Sequence, residues 1–179
     1  MFEFIYRAAK KMKCFNSTQT VDIRLNLLEV HLAGSIGLIR QEESLRKGLK
    51  DKHGCDGSDG FSIHIQGAAG EMVLAKYLQI YWMGSVNTFT KINDVANFEV
   101  KTRSKDSYQL LVRRDNKDSD IFVLVVGTIP NFKIIGWLSG QEAKQEKWLK
   151  FHGDREGAYF VPNEELKSPS LLKGLIKND

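Results

Sequence analysis

Asp94, Glu99 and Lys101 are the residues whose types and spacing could do chemistry in this chain. They lie in Asn93-Asp-Val-Ala-Asn-Phe-Glu-Val-Lys-Thr102, which reads as a strand end, a tight turn and a new strand. Glu99 and Lys101 are two residues apart. On a strand both point to one face, and Phe98, Val100 and Thr102 take the other, toward a core. If Ala96-Asn97 is a two-residue hairpin loop, with Asn tolerating the positive φ such a loop needs, Val95 faces Phe98 and Asp94 faces Glu99. Directly opposed residues have Cβ atoms about 4.5–5.5 Å apart, close enough for two carboxylates to repel unless a cation lies between them. A plain surface pair of Glu99 and Lys101 is the bland reading, and Asp94 argues against it. Two acidic groups flanking a divalent cation, with a lysine alongside, make a hydrolytic site for phosphodiesters.

The helix expected at Gly67–Leu78 brings a third acid to such a site. Glu71, Ala75 and Leu78 fall at i, i+4 and i+7, with Ala68 one turn earlier, so Glu71 lies on an apolar stripe. A carboxylate there is costly unless it is paired or bound to a cation. The alternative is a half-exposed glutamate in the first turn, stabilised by the helix dipole. Upstream, Val21, Ile23 and Leu25 alternate with polar residues as a short strand. Asn26 and Glu29 form a capping-box pattern opening a helix to about Leu49. Leu28, Leu32, Ile36 and Ile39 lie near one stripe of it, and Gly34 and Gly37 are points where it kinks or splits. Its basic end, with Arg40, Arg46, Lys47 and Lys50, reads as a solvated face. Lys52–Gly60 is a polar, glycine-rich loop without the terminal glutamate of a calcium loop. Phe61, Ile63 and Ile65 read as a short extended lead-in.

Downstream, Val86–Ile92 reads as a strand leading into Asp94, and Tyr108–Val112 as another. Ile121–Val126 is a continuous apolar run, hence a central strand buried on both faces. Phe132–Trp137 is the return strand. Ser139 with Glu142 opens a helix through about Leu149. Tyr159–Val161 reads as a short edge strand ended by Pro162, followed by a single turn and a polar tail. Residues 1–20 carry Phe4, Ala8 and Met12 on one helical face, with Lys10, Lys11 and Lys13 near its end. They read as a solvated N-terminal extension or as a basic arm for nucleic acid; residues 21–179 form one domain. The order of elements predicts an α/β or α+β sandwich with a mixed sheet of about five strands flanked by helices.

Over about residues 67–138, Asp94…Glu99-Val-Lys101 resembles the signature of the PD-(D/E)XK nuclease superfamily. Asp94 takes the place of the first acid, Glu99 of the second and Lys101 of the motif lysine. Asn93, rather than Pro, precedes Asp94, and the gap between the acids is short. Glu71 matches the glutamate often found on the helix before the core hairpin. Gly70-Glu71 together with Glu99-Val-Lys-Thr-Arg103 is similar to small proteins encoded by phages and prophages. The resemblance implies a restriction-endonuclease-like core and hydrolysis of DNA with Mg²⁺ (or Mn²⁺). It implies Asp94, Glu99 and Glu71 as metal ligands, and Lys101 as the group that orients water and offsets charge at the phosphate. Arg103, Lys105, Arg113 and Arg114 follow the site and are candidates for clamping backbone phosphates, with an ordinary solvated surface as the alternative. The two cysteines, read as reduced thiols, point to a cytoplasmic setting, which for a phage protein is the host cytoplasm, and the resemblance further implies phage or host DNA-processing partners. It leaves a homodimer open. Two other readings compete: a nuclease-like fold used without catalysis as a nucleic-acid-binding or structural module, and an unrelated α/β domain with a chance Glu-x-Lys.

The chain has 179 residues, enough for one domain with a proper core. No apolar run approaches the roughly 20 residues that cross a bilayer, and no signal-peptide pattern opens the sequence. Cys14 and Cys55 lack metal-ligand spacing and read as reduced thiols. A net charge of +4 and a pI near 9.0 are compatible with a polyanionic partner. His31, His53, His64 and His152 show no paired zinc spacing, and there is no phosphate-binding loop or nucleophile-elbow serine.

Overall fold

A computed structural model gives the fold, and the structure describes residues 20–48, 60–86, 93–151, 153 and 156–176. Strand β1 (Val21–Arg24) leads through Asn26 into helix α1 (Leu27–Arg46). The Asn26 side chain accepts the Glu29 N–H, and the Glu29 carboxylate accepts the Asn26 N–H, the reciprocal cap read from the sequence. The helix runs unbroken through Gly34 and Gly37, without the expected kink. Its buried face is not the leucine stripe either. Leu28, Leu32 and Ile39 are exposed, whereas Ala33, Gly37 and Gln41 are buried. The reason is helix α2 (Gly60–Leu78), which lies so close that a Cβ on Gly37 would come within 2.5 Å of the Ile65 Cα. Only small residues permit that approach. Helix α2 begins at Gly60, so Phe61, Ile63 and Ile65 are helical rather than an extended lead-in. Packing against α1 overrides the strand preference of the branched side chains.

The remaining strands are β2 (Phe98–Arg103), β3 (Leu110–Arg113), β4 (Ile121–Thr128), β5 (Asn131–Ser139), β6 (Leu149–Lys150) and β7 (Ala158–Val161). The protein is α+β, with a mixed four-stranded sheet ordered β1-β5-β4-β2 and a three-stranded sheet ordered β3-β7-β6. In the larger sheet β4 runs parallel to β2 and antiparallel to β5. The expected single sheet of about five strands is therefore divided in two among the described residues. The polar stretch Ser104–Ser107 carries the chain off the main sheet, and β3 then pairs with β7. That places β7 in the middle of its sheet, not at an edge, with Pro162 just past its last pairing.

Two cores flank the main sheet. On one face Phe98, Val100, Val123 and Val125 pack with Ala68, Met72 and Ala75 of α2. On the other, Phe122, Leu124 and Val126 pack with Leu110, Val112, Trp148 and Val161 of the smaller sheet and its connections. Strand β4 serves both, which is why its run is apolar throughout. Helix α3 (Gly140–Ala143) opens with the Ser139–Glu142 box but ends after one turn, short of Leu149. Ala143 and Trp148 are both buried in the second core, and on a continuing helix they would point about 140° apart. The tail is less polar than its composition: Leu172, in a 3₁₀ segment at Pro169–Leu175, is fully buried in the first core. Most of residues 1–20, the loop expected at Lys52–Gly60 except Gly60, and the strand expected at Val86–Ile92 except Val86, lie outside the described residues. Among the described residues no helix is long and apolar enough to cross a membrane.

The two glycines of α1 give a test of this packing. A Cβ on Gly34 would meet nothing within 4 Å, so Gly34→Ala should stabilise the protein, by about 0.5–1 kcal/mol. Gly37→Ala should destabilise it by about 1–3 kcal/mol, because the clash is with backbone. Urea unfolding midpoints at unchanged slope read both effects. Shifts of the same sign would mean that the helices are not in the contact described.

Candidate active site at the edge of strand β2

Strand β2 is an edge of the main sheet among the described residues, and its alternation puts the chemistry on one face. Phe98 and Val100 point into the core beneath α2. Glu99, Lys101 and Arg103 point the other way, in register with Phe122, Leu124 and Val126 of β4. The Lys101 Nζ lies 5.3 Å from the centre of the Phe122 ring and 3.5 Å from Glu99 Oε2.

Asp94 arrives through the tight turn. Val95 and Phe98 exchange backbone hydrogen bonds of 3.1 and 2.9 Å around Ala96-Asn97, so the two-residue loop and its facing pair are as read from the sequence. The positive φ falls on Ala96 (+50°), not on Asn97. The Asn97 amide instead donates to the Leu175 carbonyl at 3.0 Å. Pairing stops at this single bridge. Asp94 does not face Glu99 across a ladder: its Oδ2 accepts the Val100 N–H at 2.8 Å, capping the outer edge of β2. Its charge still reaches Glu99. Burial first, then Asp94 and Asp120, hold the Glu99 carboxyl above the ordinary glutamate range, against the pull of Lys101.

Glu71 approaches from the opposite face. Helix α2 lies so close to β2 that a Cβ on Gly70 would overlap the Thr102 hydroxyl. Glu71 follows directly and is buried, with 5 % exposure. Both its oxygens are engaged. Arg40 donates to them at 2.6 and 2.8 Å in a two-pronged pair, and the Trp82 indole donates at 3.2 Å. Two further bonds from Arg40 to the Ser85 carbonyl, 2.8 and 2.6 Å, fix the guanidinium. Burial works against the charge of Arg40, but Glu71 overrides it and raises the guanidinium above its usual value. Burial and then Asp94 push the Glu71 carboxyl upward while Arg40 opposes them. Asp94 is thus the acid in the middle, pressing on Glu71 and on Glu99.

Arg40 and Trp82 were not read as site residues. The signal for Arg40 was its position seven residues after Ala33 and three after Gly37, on the face that α1 buries rather than on a solvated one. The four expected phosphate clamps separate into two groups. Arg103 and Lys105 both lie over the Tyr108 ring, at 5.0 and 5.8 Å from its centre. Arg113 and Arg114 are at the far end of β3; the Arg113 N–H is held by the Asn116 side chain at 2.9 Å, and Arg114 is exposed. Among the described residues no group of three or more His, Cys, Asp or Glu side chains is arranged so that it could hold a metal ion. The chain matches no protein-family model, no curated protein and no solved structure.

The two glutamates should respond oppositely to loss of charge. Glu71→Gln leaves the half-buried Arg40 guanidinium short of its counter-charge and should cost about 1–3 kcal/mol, less than for a fully buried pair because burial already opposes the Glu71 charge. Glu99→Gln should stabilise the protein near neutral pH in EDTA. A carboxyl raised on folding is protonated preferentially in the native state, so ionising it disfavours folding as pH rises above about 4.5, the ordinary value. The advantage of Glu99→Gln should therefore vanish at pH 4 and grow toward pH 7. Thermal denaturation across that range checks it, and a difference that does not change with pH would contradict the environment described for Glu99.

Proposed function

We propose that this protein hydrolyses phosphodiester bonds of DNA, using Mg²⁺ (or Mn²⁺) held by Asp94 and Glu99. The observation that supports this most directly is the closeness of these two acids at the edge of β2, where burial and then Asp94 raise the Glu99 carboxyl and Lys101 stands 3.5 Å from it. Carboxylate oxygens suit a hard divalent cation, and Mg²⁺ retains several waters, so two protein ligands suffice. The donor set fits such an ion in this form. Glu71 fits less well as a direct ligand, because Arg40 and Trp82 occupy its oxygens. In this proposal Glu71 acts through water or by holding Arg40 at the rim of the site. A bound ion would supply Lewis-acid polarisation and an activated water. Lys101 offsets charge at the scissile phosphate and orients the attacking water. The Phe122 ring, 5.3 Å from the Lys101 Nζ, gives the ammonium a cation–π partner.

A second reading, a nucleic-acid-binding module without catalysis, is favoured by that same closure of Glu71. The two readings separate on one set of measurements. For the nuclease, millimolar Mg²⁺ or Mn²⁺ raises the thermal midpoint, Glu99→Ala abolishes the increment, and plasmid or linear DNA is cut with metal but not with EDTA. Lys101→Ala should lose about a hundredfold or more of the cleavage rate. Salt-dependent DNA binding with no cleavage under either metal would select the binding module.

A further inference from the structure

Among the described residues, three half-buried cations near the main sheet are matched to acids: Arg40 to Glu71, Lys101 to Glu99 and Lys133 to Asp106. Arg103 is matched to none of them. It is half-buried, it packs on the Tyr108 ring, and its Nε is buried with no hydrogen-bond partner. A desolvated donor left unpaired is costly, and a guanidinium presents a fork shaped for a phosphate or carboxylate.

Its surroundings are already ordered. Tyr108 closes a turn on the Lys105 carbonyl at 3.0 Å. Asn163 donates to the Asp106 carbonyl at 2.9 Å, and Lys133 holds the Asp106 carboxylate at 3.1 Å, so that acid is directed to Lys133. Arg103 shares the face of β2 with Glu99 and Lys101. Same-face residues on a strand repeat every ~6.6 Å, comparable to the separation of successive phosphates along a nucleic-acid strand. If the scissile phosphate is at Lys101, the next phosphate falls at Arg103.

We propose that Arg103 binds the phosphate adjacent to the scissile one, so that the substrate is a polynucleotide strand whose backbone runs along β2. The site selects a phosphodiester chain over an isolated phosphate ester. This rests on the nuclease reading for the place of the scissile phosphate, but its test needs no cleavage.

Anisotropy titrations of labelled single-stranded DNA and RNA in EDTA, over a series of salt concentrations, read the contact. Wild type should bind with a salt-dependent affinity. Arg103→Met should weaken binding roughly tenfold and reduce the slope of log affinity against log salt by about one unit. Arg103→Lys should restore the slope, because the charge remains. Arg46→Met, at an exposed cation paired with Glu43, should leave the slope as it is. Thermal melting of Arg103→Met should show no loss, since the change removes an unpaired desolvated charge. The parallel arms show whether the backbone taken is deoxyribose, ribose or both. No salt-dependent binding by wild type, an unchanged slope in Arg103→Met, or an Arg103→Lys protein that behaves like Arg103→Met would each overturn the proposal. Binding that depends on Arg103, with no hydrolysis when metal is added, would uphold this site while removing the nuclease reading.

Discussion

Carboxylates gathered at one strand edge cannot all stay ionised without compensation, and the structure answers this separately for each acid. Glu71 is neutralised by the two-pronged guanidinium of Arg40. Asp94 takes the backbone N–H of Val100. Glu99 has the weakest support, a lysine at 3.5 Å, and its carboxyl, like that of Glu71, is held above the usual range by burial. The chemistry proposed for the protein follows from that uneven compensation. In that proposal the cation lies between Asp94 and Glu99, beside Lys101.

Close packing makes the arrangement possible. Gly37 brings α1 onto α2, and Gly70 brings α2 onto Thr102 of β2. The first contact delivers Arg40 and the second delivers Glu71, so the ion pair forms where two helices and a strand edge converge. The smaller sheet covers the other face and leaves β2 as the open side, with Glu99, Lys101 and Arg103 in a row along it. The loop after β2 is pinned to β5 and to the Asn163 turn, which keeps Tyr108 under Arg103. The site is thus built on rigid elements, with loops serving only to anchor it.

Much of this was legible in the sequence, for identifiable reasons. Both capping boxes, the buried run of β4 and the turn at Ala96-Asn97 are local patterns, and local patterns survive into the fold. The face shared by Glu99 and Lys101 follows from period two alone. Long-range facts were not legible. Leu28 and Leu32 read as the buried stripe of α1 because large apolar residues normally are. Only the position of α2 shows that small residues made the contact. For the same reason Arg40 reads as solvated although it is half-buried between the helices. Division of the strands into two sheets depends on where Ser104–Ser107 directs the chain, and no periodicity encodes that. Helix α3 is shorter than its capping box suggests because Ala143 and Trp148 share one core, a long-range fact that the local sequence does not carry.

The proposal at the centre of this account is that Asp94 and Glu99 hold a divalent cation while Glu71 remains with Arg40. Anomalous diffraction from crystals grown or soaked with millimolar Mn²⁺ tests it most directly. The account predicts an anomalous peak within bonding distance of both the Asp94 and Glu99 carboxylates, with the Arg40–Glu71 pair intact. Manganese absent from those two carboxylates at such concentrations, or bound by Glu71 with Arg40 displaced, would contradict it.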